Sequence, residues 1–245
     1  MKKRIDQLLV EQGLAESRTK AQAYLMAGLV FSGTKRLDKP GQQIDEATPL
    51  EVKGADHPYV SRGGVKLAAA LDHFHIDVTG KICLDVGAST GGFTDVLLRR
   101  GALKVYAIDV GTHQLAWKLR EDRRVISLEK TNARTLTSTE IPRAPEIIVC
   151  DASFISLKMV LPAALALAAP SATLVALIKP QFEVGKENVG KGGIVKDEAL
   201  HQAVCADIRT WLETDMQWKV VDLMESPITG IEGNREFLIA AKKAN

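Results

Sequence analysis

The sequence predicts an α/β protein, a mostly parallel sheet with helices on both faces, preceded by a small α+β domain. Three observations carry that expectation. From residue 81 onward, short apolar runs alternate with stretches of helical apolar spacing, the pattern of strand–helix–strand units. The first such run, residues 81–86, leads through the small residues Gly87-Ala88-Ser89-Thr90-Gly91-Gly92 into a helical pattern over 93–100. Residues 3–53 follow a different plan, with two short helical patterns and then short β-like runs.

Composition sets wide bounds. A chain of 245 residues has room for one large α/β domain and a small one. Its 46% hydrophobic and 25% charged residues are ordinary for a globular protein, and a net charge of +2 says little about partners. The distribution says more, because Lys2, Lys3, Arg4, Arg18, Lys20, Lys35, Arg36 and Lys39 gather at the start. Cys83, Cys150 and Cys205 are odd in number, form no C-x-x-C pair and sit in apolar runs, so they read as core residues in a reducing compartment. Charges threaded through Ile5, Leu8, Leu9 and Val10 argue against a signal peptide. The nearly uncharged run at 160–178 is interrupted by Pro162, Pro170 and Ser171, and reads as a buried helix followed by a central strand. A cytoplasmic location is expected.

In chain order, the first helix begins near Arg4 and is closed by Gly13, a good C-terminal cap. Ser17 caps the second, which turns Ala21, Tyr24, Leu25 and Met26 inward and ends at Gly28. An apolar run at 29–33, a Lys-Pro-Gly turn at 39–41 and a strand at 49–52 complete the unit. The segments R-x-D-x-x-L, G-L-A-x-S-R, A-G-L-V and K-P-G resemble the S4 domain, a small RNA-binding module. That resemblance implies a domain over 1–55 that holds RNA backbone, with Arg4, Arg18, Lys20, Lys35 and Arg36 as the matching cations. Arg and Lys neutralise phosphates and give affinity with little sequence reading.

Residues 56–62 form a polar linker, and 63–245 the second domain. A helix is expected over 65–73, with Lys66 in its first turn, where a cation opposes the helix dipole. The turn after the first strand reads D-x-G-x-S-x-G-G, not G-x-G-x-x-G. Ser89 takes the place of the second glycine, and Asp85 stands directly before the turn. A pyrophosphate wants backbone amides without a nearby carboxylate, whereas the sulfonium and ammonium of S-adenosylmethionine (SAM) suit an acid. Glycines let the backbone approach a ligand, and the amides near Gly91 and Gly92 are expected to be unpaired and to face it. Asp85, Gly87, Ala88, Ser89, Gly91, Gly92 and Phe93 are therefore the candidate cofactor residues.

A second strand over 105–111 carries Asp109, about twenty residues past the glycine turn and able to hold two ribose hydroxyls. A third covers 124–128, with Asn132 beyond it as a candidate adenine contact. A fourth, 147–151, ends in Asp151, and a fifth, 174–178, is followed by Lys179. The Gly- and Lys-rich stretch 183–193 reads as a mobile loop, a candidate lid or RNA contact. A helix over 196–213 and two strands at 218–226 and 235–242 finish the chain.

Ligands of open α/β sheets bind beyond the carboxyl ends of the parallel strands. Asp151 and Lys179 fall there. An antiparallel last strand would bring Glu236 to the same rim, and Lys66 precedes the first strand. With the motif Asp85-Val86-Gly87-Ala88-Ser89-Thr90-Gly91-Gly92-Phe93, this set resembles the FtsJ-type ribose 2′-O-methyltransferases, marked by a Lys-Asp-Lys-Glu tetrad on a SAM-binding sheet. An S4 domain joined to such an enzyme is similar to the arrangement of the TlyA family, which carries both haemolysin and ribosomal RNA methyltransferase names. One departure is Asn132, where the FtsJ pattern often has an acid.

The resemblance implies a Rossmann-like, mostly parallel seven-stranded sheet, SAM as cofactor, and methyl transfer to a ribose 2′-hydroxyl of ribosomal RNA, on cytidine. Lys66, Asp151, Lys179 and Glu236 are the implied catalytic residues, with Asp151 also near the cofactor. Lys179 would take the hydroxyl proton, Lys66 orient the hydroxyl, Asp151 place the Lys179 amine and Glu236 orient a lysine. No metal is required, because the donor is already activated. Ribosomal RNA or ribosomal subunits are the expected partners, with no DNA and no stable membrane association. Three other readings stay open: a nucleotide-dependent oxidoreductase, a membrane-active haemolysin-like protein, and an RNA-binding protein with an inactive methyltransferase fold.

Overall fold

The computed structural model describes residues 2–15, 17–52, 57–230 and 233–244. They divide into two units, between Pro58 and Tyr59.

The first unit is built from short elements. β1 (Lys2–Arg4) runs into α1 (Ile5–Glu11), and α2 (Arg18–Met26) follows. Ser17 caps α2 as its sequence predicts, its hydroxyl accepting from the Lys20 amide at 3.2 Å. β2 (Val30–Ser32), β3 (Lys35–Leu37), β4 (Gln43–Asp45) and β5 (Glu51–Val52) complete the unit. β3-β2-β5 form one small sheet, and β1 pairs antiparallel with β4. That second pairing lies in a charged stretch without apolar alternation, so the sequence did not signal it. Ile5, Leu9, Ala21, Leu25, Val30 and Leu37 make the core.

The second unit begins earlier than the expected boundary. Residues 53–56 lie outside the described residues; of the expected linker, His57 and Pro58 fall in the first unit and residues 59–62 in the second. The Val60 amide donates to Asp95 at 2.9 Å, and Gly64 lies against the Tyr59 ring. α3 (Gly63–His73) leads to β6 (Ile82–Val86), α4 (Gly92–Arg99) and β7 (Lys104–Ile108). The short α5 (Trp117–Arg120), β8 (Val125–Leu128) and β9 (Ile147–Cys150) come next. The apolar run at 160–178 breaks as expected. It follows α6 (Leu157–Val160) and contains α7 (Pro162–Ala166) and β10 (Thr173–Ile178). Among the described residues, no helix is long and apolar enough to cross a membrane. α8 (Pro180–Glu183), α9 (Glu198–Thr214), β11 (Trp218–Glu225) and β12 (Phe237–Lys243) close the chain.

The seven strands are ordered β11-β12-β10-β9-β6-β7-β8. β10, β9, β6, β7 and β8 are parallel, and β12 lies antiparallel between β10 and β11. Both faces are covered. α3 and α4 bury Leu67, Leu71, Val96 and Leu97 against one face, and α6, α7 and α9 bury Leu157, Leu165, Ile208 and Leu212 against the other. Near-continuous apolar strands such as β10 follow from burial on both sides.

The stretch 183–193, expected to be a mobile loop, is tied down at both ends. Glu183 accepts from the Ser156 hydroxyl at 2.6 Å and the Leu157 amide at 2.8 Å. Buried Asn234 accepts from the Val195 amide at 3.0 Å and donates to the Gly193 carbonyl at 2.9 Å.

Candidate active site

Topology brings the four predicted polar residues to one edge of the second unit. Asp151 directly follows β9, Lys179 directly follows β10, and Glu236 directly precedes β12. Because β12 is antiparallel, Phe237 pairs with Ile178, so Glu236 and Lys179 flank the last register pair. α3 reaches this edge from above the sheet. Gly63 at its start lies against Asp151, where an added methyl would stand 3.4 Å from Oδ2.

The four side chains form two ion pairs. Lys179 Nζ lies 2.6 Å from Asp151 Oδ1, an ion pair without good hydrogen-bond alignment, and donates to the Ser153 hydroxyl at 2.7 Å. Lys66 pairs with Glu236 in the interior, the two side chains 10% and 3% exposed. The lysine that Glu236 contacts is therefore Lys66. Its position against the dipole of α3 is offset by that carboxylate, and Lys66 is buried rather than a surface residue.

The turn after β6 makes a cradle of carboxylates. Gly87 has φ of 82°, and a Cβ there would stand 3.0 Å from Ala152 Cα, so only glycine fits. The Gly87 and Ala88 amides donate to the Ile108 carbonyl, the Gly91 amide to Ala88, and the Ser89 amide to Asp109. This corrects the expectation for Gly91, whose amide is engaged inside the turn. The donors without an acceptor in the helix are the first amides of α4, beginning at Gly92, and no side chain caps them. Phe93 is 3% exposed and packs in the core with Leu67 and Val96, so only its backbone faces the turn.

Asp85 is wholly buried. One carboxylate oxygen accepts from the Thr94 hydroxyl at 2.6 Å, and the other has no partner. Burial pushes its pKa up to about 7; the Thr94 bond opposes the shift, and the charges of Asp151 and Asp109 add to it. An orphaned oxygen among three carboxylates fits a cationic ligand and opposes a pyrophosphate. Asp109 accepts from the Ser89 amide at 2.8 Å and the Gly111 amide at 2.7 Å, which fixes its carboxylate beside the turn. Asn132 is exposed, and its side-chain oxygen caps the short 3-10 turn Ala133–Thr135. Only its amide group is left to meet an adenine.

Sequence reading missed two neighbours of the tetrad. Ser153 is one. The other is Phe154, 90% exposed with φ of 65°, its ring centroid 5.1 Å from that of Phe182. Its ring stands in the open directly after Ser153, the residue whose hydroxyl accepts from Lys179. In a run reading Ala-Ser-Phe-Ile, nothing marked it as outward-facing.

In the first unit, a buried carboxylate organises two of the predicted RNA-binding residues. Asp6 accepts two bonds from Arg4 (3.0 and 2.9 Å), one from Arg18 (3.0 Å) and one from Gln22 (2.8 Å). Arg4 foremost, then Gln22 and Arg18, hold its pKa far below the usual carboxylate range against the effect of burial. Both guanidinium groups keep free donors at the surface. Arg4 also reaches Gly41, which lines an open groove of about 800 Å³ with Lys35, Arg36, Lys39 and Gln42. Lys20 lies over the Tyr24 ring, 5.4 Å from its centroid.

Comparison with known proteins agrees with this geometry. Residues 59–243 match the sequence model of the FtsJ-like methyltransferases, and residues 3–48 that of the S4 domain. The chain is 50% identical over 239 residues to "Putative rRNA methyltransferase YqxC" of Bacillus subtilis, covering 97% of this chain and 85% of that one. It is 47% identical over 238 residues to "16S/23S rRNA (cytidine-2'-O)-methyltransferase TlyA" of Mycobacterium tuberculosis, covering 96% and 88%. A solved structure described as "Putative hemolysin from Streptococcus thermophilus" superposes with a TM-score of 0.78 at 46% identity, over 100% of this chain and 89% of that one.

Proposed function

Because the chain belongs to the FtsJ-like methyltransferase family and carries an S4 domain ahead of its catalytic unit, we propose that it methylates a ribose 2′-hydroxyl of ribosomal RNA, on cytidine, using SAM. The observation that carries this reading is the pair of ion pairs, Lys179–Asp151 and Lys66–Glu236, beside a glycine turn ringed by acids.

Asp85, Asp109 and the first amides of α4 would hold the donor, with Asp151 at its reactive end. When bound, SAM supplies a methyl group already activated on a sulfonium. The chain then has one proton to handle, that of the ribose hydroxyl, which Nζ of Lys179 takes as the oxygen attacks, having first released its own proton. Asp151 and Ser153 fix that nitrogen and accept its hydrogen bonds once it is charged. Lys66, held by Glu236, orients the hydroxyl oxygen. Phe154, backed by Phe182, gives an unpaired base a face to stack on, which suits a nucleotide drawn out of its helix.

The test is methyl transfer from tritium-labelled SAM to naked ribosomal RNA, 30S and 50S particles, followed by nucleoside analysis. Label on 2′-O-methylcytidine, lost in Lys179→Ala while SAM still binds, is the expected result. A fully active Lys179→Ala enzyme would overturn the assignment of the base, and an absence of SAM binding would overturn the reading of the turn.

A further inference from the structure

The opposite edge of the sheet carries a groove that the methyl-transfer site does not use. Its volume is about 650 Å³, and it opens where the parallel strands begin, lined by Thr173 at the start of β10 and Lys242 at the end of β12. The six residues of β10 separate it from Lys179 by about 20 Å. Partly buried Ile76 and exposed Val221 supply apolar surface to the groove, over the buried Phe74 and Ala240. Val221 is there because the β11–β12 register shifts between Val220 and Asp222, which leaves it unpaired and 49% exposed.

The charges around this groove are unbalanced. Lys81 is paired with Glu146 at 2.8 Å, and Asp77 accepts from the Thr79 amide next to Lys81. Lys243 donates to the Ala168 carbonyl at 2.7 Å. Lys219 and Lys242 are left. They are direct cross-strand partners, both are exposed, and neither has an ion pair among the described residues. Like charges set opposite each other across an antiparallel pair cost stability, and an anion bound between them removes that cost. Thr173 stands next in the same row, opposite Lys242 on its other side, and offers a hydroxyl.

We infer that this groove is a second anchoring site for the RNA substrate, in which Lys219 and Lys242 hold a backbone phosphate and the apolar floor supports the adjoining nucleoside. Two unpaired cations set side by side suit the phosphate of a nucleic-acid backbone, and the apolar surface beside them suits the uncharged face of the nucleoside. The inference rests on the RNA-methylating reading above. It makes the edge strand β11 the path by which a large RNA, engaged at Lys179, turns around the side of the sheet. The site adds affinity without touching the reacting atoms.

The full-length Lys219→Gln/Lys242→Gln variant tests this, with methyl transfer to ribosomal particles measured across a salt series. Both side chains are exposed, so the fold is retained, and SAM affinity equal to wild type verifies it. The expected result is an unchanged kcat, a KM raised about fivefold, and a salt dependence of log KM shallower by about 0.7–0.9, one phosphate's share. Lys219→Arg/Lys242→Arg should behave as wild type. A Gln variant with wild-type KM and salt dependence overturns the site while leaving the catalytic reading intact. A wild-type chain that methylates no RNA brings down both, and shows it before any variant is made.

Discussion

Lys66 in the first turn of α3 and Glu236 directly before β12 form a buried ion pair across 170 positions of sequence. Each holds the other's charge out of water, so the pair ties α3 to the sheet at the catalytic edge. Glu236→Ala should leave the Lys66 ammonium buried without a partner and lower the unfolding free energy by roughly 3–5 kcal/mol. The double change Lys66→Met/Glu236→Leu should recover much of that stability but none of the methyl transfer. Denaturant unfolding beside a labelled-methyl assay separates the two effects. A double variant with measurable turnover would show the pair to be scaffolding alone.

On the proposed reading, Asp85 should make donor binding depend on pH. Its folded-state pKa is raised to about 7 from an unfolded value of 3.8, chiefly by burial, so the folded chain holds a proton there that the unfolded chain has lost. Between about pH 4 and 7 the folded state therefore binds more protons, and this group's contribution to stability falls as pH rises. A cationic donor needs the ionised form, so SAM affinity should climb about tenfold per pH unit below 7 and level off above it. Isothermal titration across pH 5.5–8.5 reads the slope. Asp85→Asn should bind weakly with no slope, and an identical slope in that variant would assign the titration to another group.

Phe154→Ala should lower methyl transfer to RNA by about tenfold or more, the worth of one base–aromatic stack, while SAM affinity stays at the wild-type level. Phe154→Trp should retain most activity. If alanine is as good as phenylalanine, the ledge does not meet a base.

Asp6 allows a test in which two explanations differ in sign. Removing a negative charge with Asp6→Asn should tighten RNA binding if only net charge matters. If Asp6 acts by holding Arg4 and Arg18 in place, binding should weaken several-fold, because both guanidinium groups lose their anchor. Filter binding of ribosomal RNA, with circular dichroism to follow the fold, gives the answer. Tighter binding by a folded variant would end the positioning argument.

What the sequence made legible followed from local pattern. The apolar runs of β6, β9 and β10, the Gly87–Gly92 turn and the acids and lysine at strand ends were readable because burial on both faces and tight turns restrict residue type strongly. Pairing was not. That Glu236 pairs with Lys66, 170 positions away, is a long-range fact that no window of sequence contains, and that Asp6 gathers Arg18 and Gln22 depends on how α1 packs against α2. The short helices α5 to α8 span a turn or so each, too little for a periodic signal. The Gly91 amide looked free by analogy with a helix start, but the left-handed conformations of Gly87, Ser89 and Gly91 fold the turn back on itself and engage it.

The near-contact of Gly87 with Ala152, with the Asp151 amide donating to the Val86 carbonyl at 3.1 Å, leaves no slack between the turn and the loop that carries Asp151. On the proposed reading, the turn that would hold the donor and the carboxylate paired with the proton-accepting lysine are in effect one rigid part. A ligand that shifts the turn moves the Lys179–Asp151 pair with it, so the enzyme has little means of adjusting donor and proton acceptor separately. Variants that enlarge residue 87 should consequently lose donor binding and proton transfer together, a single failure where a looser design would show two.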